Sequence, residues 1–269
     1  MGPAVPANVE RFMGFAEDYD AYRPAPPRAL VDVLRQLAQS ERPRVVDIGC
    51  GTGLSSRIWA GLAESVIGVE PSDDMRRRAE AATAKLPGCQ GIRYQSGASS
   101  ETHLGDASAD IVTISQALHW MPPEPTFREV ARILRAGGVF AAVDCDWPPV
   151  MNAAAERAYD DFTAETRKLE KAHGDAQVQR WAKAEHLQRI RNSGLFGYTR
   201  EILLHSIEQG NAQRLVGLAM SFGGVQTLLK AGVPQVRELL GRLAQQAQES
   251  LGETPRPWLF CYRVQVGIK

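Results

Sequence analysis

The stretch Val45–Leu54 constrains the fold more than any other part of the sequence, because a short apolar run there leads into a glycine-rich turn. The β-branched residues before the turn are typical of a buried strand, and the segment that begins at Ser55 has apolar residues at helical spacing. Glycine permits positive φ angles and a close approach of the backbone to another group. The pattern therefore predicts a strand, a tight loop and a helix, with a binding site at the loop.

An acidic residue lies where such a site needs one. Ser65–Glu70 predicts a second buried strand that ends in a carboxylate, about 20 residues after the first glycine of the loop. In nucleotide-binding α/β folds, a carboxylate at this distance accepts hydrogen bonds from ribose hydroxyls. The loop and Glu70 together indicate a nucleotide-like ligand.

The residues within the loop narrow the class of ligand. A dinucleotide-binding loop has the pattern G-x-G-x-x-G, and Leu54 occupies the position of its third glycine. No Gly-Lys-Ser/Thr follows, so the sequence does not indicate a phosphate-binding P-loop. Asp47 suits a cationic or amino-bearing ligand better than a pyrophosphate, whose charge it would repel. On these residues alone, two alternatives remain: a Rossmann-like domain that binds an adenosine-containing ligand of a different kind, and one that binds no such ligand.

Composition and charge exclude several classes of partner. The 269 residues include 31 basic and 31 acidic side chains, so the formal net charge is zero and neither nucleic acid nor an anionic membrane is expected as a partner. The four cysteines have no paired or metal-ligand spacing, which favours reduced thiols. The first residues lack a basic region followed by an apolar stretch, and there is no long apolar run. We therefore expect a cytoplasmic protein, either a monomer or a homodimer.

The order of predicted elements indicates the architecture. Strands alternate with helices from Arg44 to Asp144, which predicts a parallel, doubly wound sheet. The terminal run Trp258–Val266 alternates strongly and suits an antiparallel strand at the edge of that sheet. The predicted fold class is α/β: a Rossmann-like, mostly parallel sheet of seven strands with an antiparallel last strand and helices on both faces.

A division of the chain follows from the same pattern. We expect a single domain over 1–269 with four parts: an N-terminal lid (1–27), a cofactor-binding core (44–144), an inserted helical cap (148–192), and C-terminal strands and helices that complete the sheet (198–269). The lid is predicted to be irregular and contains four aromatic residues, Phe12, Phe15, Tyr19 and Tyr22. We assign Arg76–Arg78 to a solvated helix face.

Six segments resemble, in order, the motifs of the class I S-adenosylmethionine-dependent methyltransferases, in the small-molecule branch that includes the trans-aconitate methyltransferase-like and methyltransferase type 11 enzymes. They are Tyr19–Pro24, Asp47–Gly53, Val69–Ser72, Gly97-Ala98, Ser115–Trp120 and Leu134–Gly138. The resemblance implies S-adenosyl-L-methionine as cofactor and S-adenosyl-L-homocysteine as product, with the loop around the methionine part and Glu70 on the ribose. The cofactor-binding residues that it implies are Arg23, Asp47, Gly49, Cys50, Gly51, Gly53, Glu70, Pro71, Met75, Gly97, Ala98, Ser115 and Gln116.

The methyl acceptor is expected next to the cofactor, beyond the carboxyl ends of the strands. His119 is the catalytic candidate, because an imidazole can take a proton from a hydroxyl, and orientation of the substrate is the alternative role. We expect Tyr19, Tyr22, Trp120 and Trp147 to line the substrate pocket together with His119. Arg23 is a candidate for holding a carboxylate of the cofactor or the substrate.

The sequence gives little indication of a metal ion. Asp144 and Asp146 end the fifth predicted strand, but Ser115-Gln116 closes the fourth, where a metal-dependent enzyme would need another oxygen ligand. We therefore expect no metal. The same position lacks the Asn/Asp-Pro-Pro-aromatic motif of enzymes that methylate amino groups of nucleic acids.

The function expected from these features is methyl transfer to a small molecule, with the oxygen of a carboxyl or hydroxyl group as acceptor. The alternatives are carbon or nitrogen methylation in a natural-product pathway, a rearrangement that uses the cofactor site without methyl transfer, and a cofactor-binding relative without catalysis. The identity of the acceptor depends on lid and cap side chains whose geometry a sequence does not give.

Overall fold

A computed structural model describes residues 6–10, 14–173 and 177–269 of the chain. Phe12, one of the four aromatic residues expected in the lid, lies outside the described residues.

Seven strands form a single sheet in the order β3-β2-β1-β4-β5-β7-β6. The strands are β1 (Arg44–Ile48), β2 (Ser65–Val69), β3 (Ile92–Gln95), β4 (Ala109–Ser115), β5 (Leu134–Cys145), β6 (Tyr198–Gly210) and β7 (Arg256–Ile268). The first five are parallel, with Val46 of β1 paired to Ile67 of β2 and to Val112 of β4. Strand β7 runs antiparallel to both of its neighbours. The predicted fold class, with its single reversed strand, is confirmed.

Strand β7 lies inside the sheet rather than at its edge, and this corrects the expectation for the terminal run. It is hydrogen-bonded to β5 on one side and to β6 on the other, so that β6 forms the edge. The alternation in β7 is as expected: its buried residues include Trp258, Phe260, Tyr262 and Val264. An interior strand can alternate because its two faces differ in what covers them.

The described helices flank the sheet. They are α1 (Pro6–Glu10), α2 (Ala16–Tyr22), α3 (Ala29–Ala38), α4 (Leu54–Arg57), α5 (Asp73–Thr83), α6 (Pro123–Ile133), α7 (Ala153–His173), α8 (His186–Asn192), α9 (Ala212–Met220), α10 (Gly223–Lys230) and α11 (Pro234–Leu251). Short 3-10 helices span Leu118–Trp120 and Lys183–Glu185. The segment that was expected to form the cap contains α7 and α8, and α7 packs against α10 and α11.

Several boundaries differ from the sequence predictions. The N-terminal segment, expected to be irregular, contains helices α1 and α2. The apolar spacing after Ser55 predicts a helix as far as Ala63, whereas helix α4 ends at Arg57 and Gly61 has a φ of 72° in the turn that follows. The glycine pair Gly137-Gly138 is typical of the end of a helix and predicts one there, but strand β5 begins at Leu134, so both glycines lie within the strand. A shift of register between β4 and β5 accompanies that early start. The apolar spacing between β6 and β7 predicts two helices, and the structure has three, α9, α10 and α11.

The buried side chains lie on both faces of the sheet. One apolar cluster includes Leu30, Trp59 and Tyr159, and the other includes Ile48, Phe127 and Phe140. Because β1, β2, β4 and β5 are parallel, their carboxyl ends meet at one edge of the sheet. The glycine loop follows β1, Glu70 follows β2, Gln116 follows β4 and Asp144 lies at the end of β5, so the topology brings all four to that edge.

Candidate active site

The loop after β1 has a backbone that glycine alone adopts readily. Gly49, Gly51 and Gly53 have φ angles of 67°, 54° and 82°. A Cβ atom on Gly49 would lie 2.5 Å from the Met121 Cε atom, whereas one on Gly51 would have no atom within 4 Å. The backbone at Gly51 therefore borders open space, which allows a ligand to approach it closely.

The Asp47 side chain stabilises this loop through hydrogen bonds to the elements on either side of it. Its Oδ2 atom accepts hydrogen bonds from the hydroxyls of Ser55 (2.7 Å) and Ser56 (2.6 Å), and its Oδ1 atom accepts one from Thr113 (2.9 Å). The side chain is fully buried, and this burial raises the pKa of Asp47 although the three hydroxyl groups act to lower it. Asp47 thus joins the end of β1 to the start of α4 and to β4.

Glu70 connects the loop to the second strand. Its carboxylate accepts a hydrogen bond from the Gly51 N–H group at 3.0 Å and another from the Ser72 N–H group at 3.0 Å. Burial raises the pKa of the Glu70 carboxyl, and the two backbone N–H groups oppose that rise. The carboxylate is 9% exposed and borders a cavity, so it retains acceptor capacity that faces the cavity.

That cavity has a volume of about 790 Å³ and lies along the carboxyl edge of the sheet. It is predominantly apolar, with Glu70 as its acidic group, which is the composition typical of small-ligand sites. The residues that line it include Asn8, Tyr19, Gly49, Gly51, Glu70, Pro71, Met75, Gly97, Ala98, Ser115, Gln116, Trp120 and Met121. A smaller space of about 430 Å³ lies on the other side of the glycine loop and is lined by Arg23, Cys50, Thr52 and Trp147 among others.

Ion pairs hold helix α2 in position next to these two cavities. Asp20 accepts a hydrogen bond from Arg57 at 2.6 Å and another from Arg78 at 3.1 Å, and all three side chains are at most one-third exposed. Arg78, which was expected on a solvated helix face, therefore helps to anchor α2. This anchoring places Tyr19 between the cavities, where it lines both.

A third cavity, of about 1340 Å³, adjoins the first and shares Tyr19, Gln116 and Trp120 with it. Aromatic and charged side chains line it, including Arg23, His119, Trp147, Tyr159, Arg180, Lys183 and Phe222. The Arg23 guanidinium lies 4.1 Å from the centre of the Phe222 ring and 5.0 Å from that of Trp147, and its Nε atom donates to Ser221 Oγ at 2.8 Å. These contacts fix the guanidinium in the wall of the cavity.

His119 lies in the wall between this cavity and Asp144. Its Nδ1 atom is 3.9 Å from Asp144 Oδ1, and its ring centre is 4.7 Å from that of Trp120. Two other groups approach the same carboxylate: Lys183 Nζ at 2.7 Å from Oδ1 and His186 Nε2 at 3.6 Å from Oδ2. Burial lowers the pKa of His186, and the Asp144 charge acts in the opposite direction.

Most of the residues that the sequence singled out lie around the cavities. The first cavity or the space beside it is lined by Arg23, Gly49, Cys50, Gly51, Glu70, Pro71, Met75, Gly97, Ala98, Ser115 and Gln116, and the third by Tyr19, His119, Trp120 and Trp147. Asp47 precedes the loop and Gly53 ends it, and neither is among the residues that line these three cavities. Tyr22 packs its ring onto Gly217 of α9, where a Cβ atom would collide with it.

Four residues near these cavities were not singled out as site residues from the sequence. Asn8 bonds through its side-chain amide to the carbonyls of Trp120 and Gln179, and so ties α1 to the cavity. Arg180 and Lys183 come from the segment between α7 and α8, and His186 is the first residue of α8; all three lie far along the chain from any recognised motif. For His186 the spacing gave no signal, because only the fold brings it next to Asp144.

The fold and these cavities define an α/β protein with a candidate ligand-binding edge, and comparison with known proteins shows which proteins it resembles. Residues 46–142 match the family model described as "Methyltransferase domain". A "probable S-adenosylmethionine-dependent methyltransferase" of Saccharomyces cerevisiae is 33% identical over 124 residues, which cover 46% of this chain and 43% of the yeast protein. The chain thus spans less than half the length of this curated relative.

Solved structures share the fold over nearly the whole chain. A "putative type II methyltransferase" from Anaeromyxobacter dehalogenans superimposes with a TM-score of 0.67 and 23% identity, covering 92% of this chain and 98% of that one. The YcgJ protein of Bacillus subtilis gives a TM-score of 0.55 and 20% identity, covering 90% and 99%. Residues 46–142 are therefore similar to the methyltransferase domains of S-adenosylmethionine-dependent enzymes, and the chain shares the fold of solved methyltransferase structures. Among the described residues, no helix combines the length and the apolar character needed to cross a membrane.

Proposed function

We propose that this chain transfers a methyl group from S-adenosyl-L-methionine to an oxygen atom of a small molecule, either a carboxyl or a hydroxyl group. The observation that carries the proposal is the pair of adjoining cavities that share Tyr19, Gln116 and Trp120. One has the glycine loop and Glu70, and the other has aromatic and charged walls. Two such compartments suit a cofactor and an acceptor that must meet at a shared boundary.

The residues of the first cavity fit S-adenosyl-L-methionine. The open space next to Gly51 accommodates the methionine part of the cofactor against the loop, and Glu70 retains acceptor capacity for ribose hydroxyls. When bound, the cofactor supplies an electrophilic methyl group on a sulfonium. The chain holds the loop rigid through Asp47, and the anchored helix α2 restricts the access of water.

The acceptor would lie in the third cavity, with His119 in its wall. A hydroxyl acceptor must lose its proton, and the His119 imidazole is placed to take it, with the Asp144 carboxylate 3.9 Å behind Nδ1 to stabilise the imidazolium. A carboxylate acceptor carries no proton to lose, so His119 would then orient it. Arg23 and Arg180 line the same cavity and supply positive charge for a carboxylate.

The first test is the identity of the product. Purified protein is incubated with trideuteromethyl-labelled cofactor and a panel of small carboxylic acids, phenols, alcohols and amines, and products are analysed by mass spectrometry. The proposal expects a mass increase of one labelled methyl on an oxygen atom. Labelled methyl on carbon or nitrogen would contradict the choice of oxygen. A product without the label would contradict methyl transfer itself.

The role of His119 is tested by His119→Gln, which keeps a hydrogen-bonding group but cannot accept a proton at neutral pH. For a hydroxyl acceptor we expect kcat to fall roughly 100-fold or more, within the range of general-base contributions. For a carboxylate acceptor we expect a loss of less than about 10-fold. His205→Gln, on the exposed face of β6, is the matched control.

A further inference from the structure

Three buried metal-ligand side chains converge at the carboxyl end of β5, behind the wall of the third cavity. They are His119 from the 3-10 helix after β4, Asp144 from β5, and His186 from the first turn of α8. Their exposed fractions are 5%, 4% and 1%, and one donor atom from each lies within 4.8 Å of the other two. Because the three come from separate elements, the fold itself assembles the cluster.

The spacing within the cluster is too wide for hydrogen bonds. Asp144 Oδ1 is 3.9 Å from His119 Nδ1, and Asp144 Oδ2 is 3.6 Å from His186 Nε2. His186 Nε2 is buried and has no hydrogen-bond partner among the described residues. A buried polar atom in this condition normally has a partner. Donors that share a metal ion at bond lengths of about 2.1 Å lie roughly 3 to 3.5 Å apart. The two separations given above, which involve different oxygens of Asp144, are somewhat wider than this.

The chemistry of the donors also suits a metal. Two imidazoles and one carboxylate form the set that binds zinc, iron(II), cobalt(II) and related ions, with coordination positions left open for other ligands. The donor atoms project from well-packed elements, since Asp144 lies in an interior strand and His119 is buried beside Trp120. Because one donor atom of each residue lies within 4.8 Å of the other two, a contraction of at most about 1.3 Å brings the donors to the usual ligand separation of about 3.5 Å.

Lys183 is the group that a metal ion would have to displace. Its Nζ atom lies 2.7 Å from Asp144 Oδ1 and 3.1 Å from Gln116 Oε1, so in this structure it balances the charge of the carboxylate. This ammonium group lies on the Oδ1 side, and His186 faces Oδ2. Lys183 is 30% exposed and lines the third cavity, which gives its flexible side chain a space to move into.

We propose that His119, Asp144 and His186 bind one divalent transition-metal ion, which exchanges with Lys183 at Asp144 and keeps open positions toward the third cavity. The site goes beyond the proposed methyl transfer and does not depend on it. Where both hold, an oxygen of the acceptor would complete the coordination, and His119 would act by orienting the acceptor through the ion. The expectation of no metal rested on Asp144, Asp146 and Ser115-Gln116, and it did not include His186.

The proposal is tested by direct binding to the full chain. After treatment with a chelator and buffer exchange, the protein is titrated with Zn²⁺ by calorimetry and with Co²⁺ by visible absorption, which reports nitrogen and oxygen coordination. We expect one ion per chain. In His186→Gln the affinity should fall at least 10-fold, whereas His205→Gln, which removes an exposed imidazole of β6, should bind as the wild type does.

Lys183→Met is a second test with the opposite expected effect on Zn²⁺ affinity, and it leaves the three ligand residues unchanged. Removal of the competing ammonium should tighten Zn²⁺ binding several-fold. Absence of one-to-one binding in the wild type, or equal affinity in the wild type and His186→Gln, would overturn the proposal. Binding of S-adenosyl-L-homocysteine is measured in every variant: it reports that the protein is folded, and its loss in the wild type would count against the proposed methyl transfer and not against the metal site.

Discussion

Replacement of Asp47 tests whether this carboxylate braces the glycine loop or contacts the ligand. In the structure Asp47 is fully buried and accepts hydrogen bonds from Ser55, Ser56 and Thr113. Asp47→Ala leaves three buried hydroxyls without this acceptor. At about 1 kcal/mol net for each hydrogen bond, we expect a loss of about 3 kcal/mol in the free energy of unfolding. For a chain of this size that corresponds to a fall in Tm of about 6 to 12 °C.

Asp47→Asn should behave differently, and the direction of the pKa shift shows why. Burial raises the native pKa of Asp47 above 3.8, so between that value and the native pKa the folded state binds more protons than the unfolded state. Stability therefore decreases as pH rises through this window, and the ionised carboxylate is unfavourable relative to its neutral form. Asn resembles the neutral form in shape and in its carbonyl acceptor. We expect Asp47→Asn to remain within about 1 kcal/mol of the wild type.

The assay is urea unfolding of the wild type, Asp47→Ala, Asp47→Asn and Thr113→Val, with calorimetric binding of S-adenosyl-L-homocysteine to each. Thr113→Val removes a single donor and should cost about 1 kcal/mol. The reasoning would be refuted if Asp47→Ala retained wild-type stability yet lost the ligand. That outcome would mean that the carboxylate contacts the ligand directly.

Three further predictions concern the same edge of the sheet, and a fourth concerns Glu129 of helix α6. Glu70→Gln should weaken binding of S-adenosyl-L-homocysteine roughly 10- to 100-fold by calorimetry, since charged hydrogen bonds are worth about 1.5 to 3 kcal/mol, while Glu64→Gln on the exposed side should bind normally. Because burial raises the pKa of Glu70 above 4.5, wild-type affinity should begin to fall at a pH above the normal carboxyl range, and a constant affinity down to pH 4.5 would contradict this. Gly49→Ala should abolish detectable binding of S-adenosyl-L-homocysteine. The new Cβ atom would lie 2.5 Å from Met121 Cε, and the left-handed backbone costs an alanine about 1 to 2 kcal/mol. A normal affinity would contradict this prediction and show that the loop adapts. For Glu129, burial acts to raise the pKa, but hydrogen bonds from neighbouring groups lower it to about 2. Its contribution to stability should therefore be present above pH 4.5 and be lost as the pH falls toward 2. In urea unfolding, Glu129→Gln should have a lower free energy of unfolding than the wild type at pH 7, and the difference should shrink as the pH falls from 4.5 toward 2.

The edge of the sheet at which we propose cofactor binding could be recognised from the sequence because its signals are local. The glycine loop and Glu70 lie within 22 consecutive residues, Gly49 to Glu70, and each follows a strand with a clear apolar pattern. The topology of parallel strands then places them together without further information. The role of Asp47 was less clear, because a sequence does not show that Ser55, Ser56 and Thr113 take up its lone pairs.

The acceptor side could not be predicted to the same degree. Lys183 and His186 lie in a segment of ordinary helical composition, and nothing in their spacing connects them with Asp144. Their proximity results from the way α8 and the preceding turn return to the end of β5, which is a tertiary contact. The position of β7 was missed for a similar reason, since alternation identifies a strand but does not identify its neighbours.

The interior position of β7 divides the sheet into two parts, β1 to β5 and β6 with β7, which can form at different times during synthesis. Strands β1 to β5 lie within residues 44–145, so a ribosome has delivered all of them long before Arg256–Ile268 emerges. Among the described strands, β6 pairs only with β7, so β6 can join the sheet only after β7 has been synthesised. Until then the open flank of β5 is a place where a chaperone, or a second nascent chain, can pair in its stead.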